Sequence, residues 1–115
     1  MSRREMLNNI YFVVFGENSG RLARLEQLPD GKWSIVIDVH GLTVQEAKKM
    51  LKNLINILRI GVQIVVIHGY HGGTAIRDMI RTDDFGYRLQ SISSPLANPG
   101  VSVLQVAAMR GCAAC

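Results

Sequence analysis

The chain has 115 residues, 48% of them hydrophobic, and 13 Lys and Arg against 9 Asp and Glu give a formal charge of +4. That length suffices for one compact core and excludes two independently folding ones. A basic excess this small, with a pI of ≈ 9.4, fits an acidic partner such as nucleic acid or an anionic membrane, but it is also ordinary among soluble proteins and assigns no function by itself.

Arg3 and Arg4 precede the apolar run Ile10-Tyr11-Phe12-Val13-Val14-Phe15, which faintly resembles a secretory signal. The run is short and no small-residue cleavage site follows, so a cytoplasmic location is expected. No stretch has the length needed to span a bilayer. Residues 1–32 read as an N-terminal extension. Ile10 to Phe15 favours a strand, and Pro29-Asp30-Gly31 is a turn signal just before Trp33, so a hairpin ending in that turn is expected. Leu22, Leu25 and Leu28 recur every third residue, which fits a helical stripe about as well as a twisted strand.

From Trp33 the pattern sharpens. Ile35-Val36-Ile37 runs into Asp38-Val39-His40-Gly41, a β-branched stretch of the kind found in central strands covered on both faces. Thr43-Val44-Gln45-Glu46 matches a capping box and starts a helix expected to reach about Ile60. Its apolar side holds Val44, Ala47, Met50, Leu51, Leu54, Ile55, Ile57 and Leu58, with Gly61 as the C-terminal cap. Val62 to Ile67 repeats the strand signature, so strand, helix and strand imply a parallel pair with a right-handed crossover. Thr74 to Arg81 reads as a short helix with Ala75, Ile76, Met79 and Ile80 inward. Leu89 to Ser93 and Val101 to Val106 supply two more strands around the turn-rich Ser94 to Gly100. The expectation is an α/β domain over residues 33–106, with a four-stranded mixed sheet, two helices, and a flexible tail over 107–115.

All three histidines lie in two segments, Asp38-Val39-His40-Gly41 and His68-Gly69-Tyr70-His71-Gly72-Gly73-Thr74. Each segment ends a parallel strand, and ligands of open α/β sheets bind beyond such ends, so His40 and His68 should share one rim. Asp38 and His40, two apart on a strand, project from one face, where the carboxylate can orient the imidazole or stabilise its protonated form. For RNA, His40 can remove the 2′-hydroxyl proton while His68 or His71 protonates the departing 5′-oxygen, with no metal or other cofactor. DNA lacks that hydroxyl, so cutting it requires an activated water and a divalent ion held by Asp38. Too few carboxylates lie nearby for a two-metal site, which favours RNA. The competing reading of Asp38 and His40 is a buried ion pair fixing the strand end, which leaves the second histidine cluster unexplained.

Gly69, Gly72 and Gly73 precede the helix near Thr74, so their amides and the positive helix end can hold a backbone phosphate. The alternative is a tight strand-to-helix connection. Arg77 and Arg81 form a basic edge on that helix, or an ordinary solvated face with Asp78. Lys48, Lys52 and Arg59 align in a stripe that is either a nucleic acid track or a row of snorkelling side chains. Tyr70 either stacks on a base or covers the core. Cys112 and Cys115 in the last four residues cannot complete a tetrahedral zinc site within one chain, although a shared site in a dimer can. Cys-Ala-Ala-Cys also fits the bare form of a prenylation box with an unusual last residue, and the plain reading is a frayed tail with incidental thiols.

These residues carry a resemblance. Ile37-Asp38-Val39-His40-Gly41-Leu42-Thr43, an amphipathic helix, Val66-Ile67-His68-Gly69, a glycine-rich turn, Ala75-Ile76-Arg77 and the closing Gly100-Val101-Ser102-Val103 together resemble the small MutS-related (Smr) domain over residues 33–106. That family shows Asp-x-His after its first core strand, His-Gly-x-Gly-x-Gly after its second, and a closing Gly-Val strand. The resemblance implies a two-layer α/β sandwich similar to the C-terminal domain of translation initiation factor three, and endonuclease activity on nucleic acid. Family members are associated with nicking DNA and with cutting messenger RNA on stalled or collided ribosomes. By the same resemblance Asp38 and His40 are cleavage positions, and His68 and Gly69 open the second motif. The chain departs where His71 replaces the usual glycine in a segment one residue longer, a form shared with a short stand-alone branch. The alternative that the departure opens is a non-catalytic module that binds nucleic acid or ribosomes.

Overall fold

A computed structural model describes residues 2–10, 20–69, 74–95 and 97–110. The expected strand beyond Ile10, the loop residues Tyr70, His71, Gly72 and Gly73, and Cys112 and Cys115 lie outside them. In chain order the elements are α1 (Arg3–Asn9), β1 (Leu22–Gln27), β2 (Trp33–Asp38), α2 (Val44–Ile57), β3 (Val62–Ile67), α3 (Ala75–Thr82), β4 (Leu89–Ser93) and β5 (Val101–Val106). The strands form one mixed sheet in the order β1-β2-β3-β5-β4. Only β2 and β3 run parallel, and the other three pairings are antiparallel.

The sheet has five strands where four were expected. The added strand holds the first two of the three leucines, Leu22 and Leu25, whose three-residue spacing comes from a bulge, and Leu28 follows its end. Leu22 faces Ile37 and Leu25 faces Ile35, so three steps on β1 match two on β2, with the register shift between Leu22 and Arg24. An extra residue of this kind lets both leucines face the core from a strand whose normal period is two. Pro29-Asp30-Gly31 closes the β1–β2 hairpin, with Leu28 N–H donating to Lys32 O and Lys32 N–H to Asp30 Oδ1.

Helix α2 starts as the sequence predicts. Glu46 N–H donates to Thr43 Oγ1 at 3.1 Å and Thr43 N–H donates to Glu46 Oε1 at 3.0 Å. It ends three residues early, at Ile57, with Leu58 already extended, and Gly61 is not its cap. Carbonyls at and just beyond its end are instead met by Arg88, which donates to Ile55 O, Leu58 O and Ile60 O, and through Nε to Ala107 O. A guanidinium only 6% exposed is tolerable because its fixed fork of donors finds carbonyls on four residues.

The core lies between the sheet and one helix layer. Ala47, Met50, Leu51, Leu54 and Ile55 of α2 and Met79 and Ile80 of α3 pack on Leu25, Ile35, Ile64 and Leu104, a row of paired positions across β1, β2, β3 and β5. Ile76 is half-buried, while Ala75, expected to face inward, is exposed because α3 begins at that residue. Truncating a fully buried leucine such as Leu54 costs about 2–5 kcal/mol. The opposite sheet face carries a polar row, in which Lys32 Nζ donates to Gln105 Oε1, Gln105 Nε2 to Gln63 Oε1, and Gln63 Nε2 to Ser34 Oγ.

Candidate nucleic acid site at the strand ends

The parallel pair β2 and β3 ends at one edge of the sheet, and the two histidine segments leave from there. Asp38 stands beside Ile67 in the register, and Val39 N–H continues the ladder to Ile67 O at 2.9 Å. One step further the register sets Val39 beside His68 and His40 beside Gly69. Since side chains alternate along a strand, Asp38 lies to one side of the sheet and His68 to the other, the side of the helices, while His40 sits just past the end of β2 in a turn closed by Leu42 N–H donating to Val39 O at 3.1 Å. A Cβ on Gly69 would sit 3.5 Å from His40 Cβ, so the two segments touch. Gly41 and Gly69 both take positive φ, at 80° and 82°, a conformation that lets the chain turn away directly after each strand end.

Asp38 and His40 form a compact dyad. Asp38 Oδ1 lies 2.5 Å from His40 Nδ1 and accepts the His40 backbone N–H at 3.1 Å. Burial acts to raise the Asp38 pKa, but the ring and backbone hydrogen bonds from His40, with the Arg21 charge, outweigh it and hold the carboxyl below its ordinary value. The His40 side chain is 66% exposed, which removes the reading of a buried ion pair. With Nδ1 turned to the carboxylate, Nε2 is the nitrogen open to a substrate. Arg21 fixes the turn beneath, donating from Nη1 to His40 O at 2.7 Å. Nothing in the sequence marks Arg21. It arrives because β1 pairs Leu22 with Ile37 and so carries the preceding residue to the end of β2.

His68 sits in a different environment. It is 8% exposed, with Nδ1 3.0 Å from Gly69 O and Nε2 2.9 Å from Ser102 Oγ. Burial, and then the charges of Arg77 and Arg81, push its pKa below the ordinary histidine value against the raising effect of the Gly69 carbonyl. Its backbone N–H and that of Gly69 both donate to Gly100 O, at 2.9 and 3.1 Å, which ties the end of β3 to the start of β5. Ser102, the partner across that pair, was legible only as part of the closing Gly-Val strand.

Beside His68 a cleft of about 310 Å³ opens between the two helices, lined by Gly41, Leu42, Thr43, Val44, His68, Ala75, Ile76 and Arg77. The N-termini of α2 and α3 both border it, and such ends favour anions. The Thr74 hydroxyl donates to Asp78 Oδ2 at 2.9 Å and makes no cap bond to the α3 amides. Among the described residues Arg77 Nε is buried without a hydrogen-bond partner, and the nearest Asp78 oxygen is 3.7 Å away.

The lysine stripe stands apart from this cleft. Lys48 Nζ pairs with Asp83 Oδ2 at 3.0 Å, beyond the end of α3, and Lys52 Nζ lies 5.8 Å from the centre of the Phe85 ring. Both side chains bridge α2 to the segment after α3. Arg81 donates to Ser94 Oγ. Among the described residues no three of His, Cys, Asp and Glu stand together as a metal site, and no helix is long and apolar enough to cross a membrane. The sequence matches no protein-family model, and no curated protein matches it significantly.

Proposed function

We propose that the chain is an endonuclease of the Smr type that cleaves RNA by acid–base chemistry at Asp38 and His40. The observation that carries this reading is the exposed Asp38–His40 dyad, with Nδ1 held by the carboxylate and Nε2 turned outward; Gly41, the residue after His40, lines a cleft bordered by two helix N-termini and Arg77. Asp38 stays ionised and orients the ring. His40 Nε2 takes the proton of a 2′-hydroxyl, the oxygen attacks the adjacent phosphorus, and the bond to the 5′-oxygen breaks as that oxygen takes a proton from water or from His71. The product carries a 2′,3′-cyclic phosphate. The cleft holds a neighbouring phosphate through amides and Arg77, contacts that position a strand without reading its bases. A ribosome-bound message is a substrate of this kind, which would place the protein in the cytoplasm.

The test is incubation of the purified protein with labelled single-stranded RNA and with ribosome-bound RNA, with and without EDTA, beside His40→Ala. Cleavage that survives EDTA, leaves cyclic phosphate ends, spares DNA and is lost in His40→Ala is the expected result. Cleavage that needs a divalent ion and extends to DNA would replace this mechanism by metal-assisted nicking at Asp38. Tight binding with no cleavage of RNA, DNA or ribosomes would make the chain a binding module.

A further inference from the structure

We infer that the Gly69 carbonyl and the Ser102 hydroxyl together lock His68 as the neutral tautomer protonated on Nδ1, making His68 a positioning residue for the cleft floor rather than the proton donor of the reaction. The assignment follows from what each partner can do. Gly69 O, 3.0 Å from Nδ1, only accepts, so the proton is on Nδ1. Nε2 then accepts from the Ser102 hydroxyl at 2.9 Å. An imidazolium satisfies the same two distances only if Ser102 accepts, which strands a hydroxyl proton at a residue with 0% exposure and sets a third positive charge against Arg77 and Arg81 of α3. The neutral ring satisfies every donor and acceptor in a closed set.

Two consequences bear on the proposed nuclease, and this part of the inference rests on that reading. Nε2 holds no proton to give, and releasing the one on Nδ1 breaks the bond to Gly69 O. The ring acts instead as a tie. It joins the turn at Gly69, packed against His40, to β5 at Ser102, so it fixes the ground on which His40 stands. Among the described histidines the proton chemistry then belongs to His40 alone.

The ring is read directly by long-range nitrogen–proton NMR correlation on the full chain at pH 7, with the His68 signals assigned by their loss in His68→Gln. The expected pattern is Nδ1–H with unprotonated Nε2, kept in Ser102→Thr, while in Ser102→Ala the Nε2 resonance shifts as it loses its hydroxyl donor. A wild-type ring that is protonated on Nε2 or charged, or an Nε2 resonance that does not move in Ser102→Ala, overturns the lock, and the wild-type spectrum decides even if Ser102→Ala does not fold. The role is read with two substrates, an RNA dinucleotide and uridine 3′-(4-nitrophenyl phosphate), whose leaving group needs no proton. A positioning residue loses about ten- to hundredfold on both in His68→Gln, whereas a loss on RNA that disappears on the activated ester overturns the assignment. A chain that cuts no RNA but shows the locked ring supports the lock and removes the nuclease reading instead.

Discussion

His40 and His68 end adjacent parallel strands on one rim, each followed by a glycine of positive φ, and they could hardly be placed more differently. His40 is exposed and held by a carboxylate. His68 is buried and held by a carbonyl and a hydroxyl. The backbone just past each strand makes the difference: the chain beyond Asp38 turns at once, with Leu42 N–H donating to Val39 O and Asp38 accepting the His40 N–H, and leaves the imidazole exposed, whereas His68 continues the line of β3 and its ring packs beneath the helices. Two similar motifs at one edge thus supply different things, a group able to meet a substrate and a fixed floor beside it.

The largest effect that would sharpen this contrast is on catalysis. His40→Ala is expected to lower RNA cleavage by at least about hundredfold while changing stability by no more than about 0.5 kcal/mol, since the side chain is exposed. The RNA assay and a urea titration of the same preparation check both halves. A variant as active as the wild type would sink the division. His68→Ala should show the reverse emphasis, with a stability loss of about 2–3 kcal/mol from the orphaned Ser102 hydroxyl and the space left by the ring, read as a lower urea midpoint.

The part of this contrast that the sequence makes legible is the local part. Asp38 and His40 are two residues apart, and an aspartate that accepts the N–H two residues on in a turn brings the pair together without help from any other strand. The capping box at Thr43 and Glu46 and the strand, helix, strand order are short-range signals of the same sort, and the structure contains both. What stays hidden is what strand pairing imports from afar. Ser102 reaches His68 across 34 residues and Arg21 reaches His40 across 19. Arg88 reaches Leu58, the residue that caps α2, across 30 residues, and Gly61 does not take that role. The bulge in β1 hid a fifth strand because one inserted residue turns a period of two into a spacing of three.

A smaller effect concerns Arg21, which holds the turn of the exposed histidine from β1. Arg21→Gln removes the donor to His40 O and should cost about 1 kcal/mol, with a modest fall in cleavage. If the fall in cleavage matches that of His40→Ala, the arginine takes part in the chemistry and the boundary drawn around the dyad is too narrow.

The subtlest test is the slope of stability against pH, where the two histidine environments contribute in separate windows. The His68 pKa is depressed in the folded chain, so the unfolded chain takes up its proton first as pH falls below about 6.5. The stability that His68 contributes is therefore whole above that value and is lost as pH falls through its folded pKa. The Asp38 contribution is whole above its ordinary value of 3.8 and is lost only below it. Glu46, hydrogen-bonded by Thr43, and Asp83, paired with Lys48, also fade in that acid window, so what the His40 ring adds to the Asp38 share is read as the difference between wild type and His40→Ala. Urea midpoints from pH 8 to pH 3 should stay level, dip first below about 6.5, and dip again near the carboxylate range. His68→Gln should erase the first dip and keep the second. A first dip that persists in His68→Gln would mean that the buried ring does not carry it, and the contrast between the two strand ends would lose its electrostatic half.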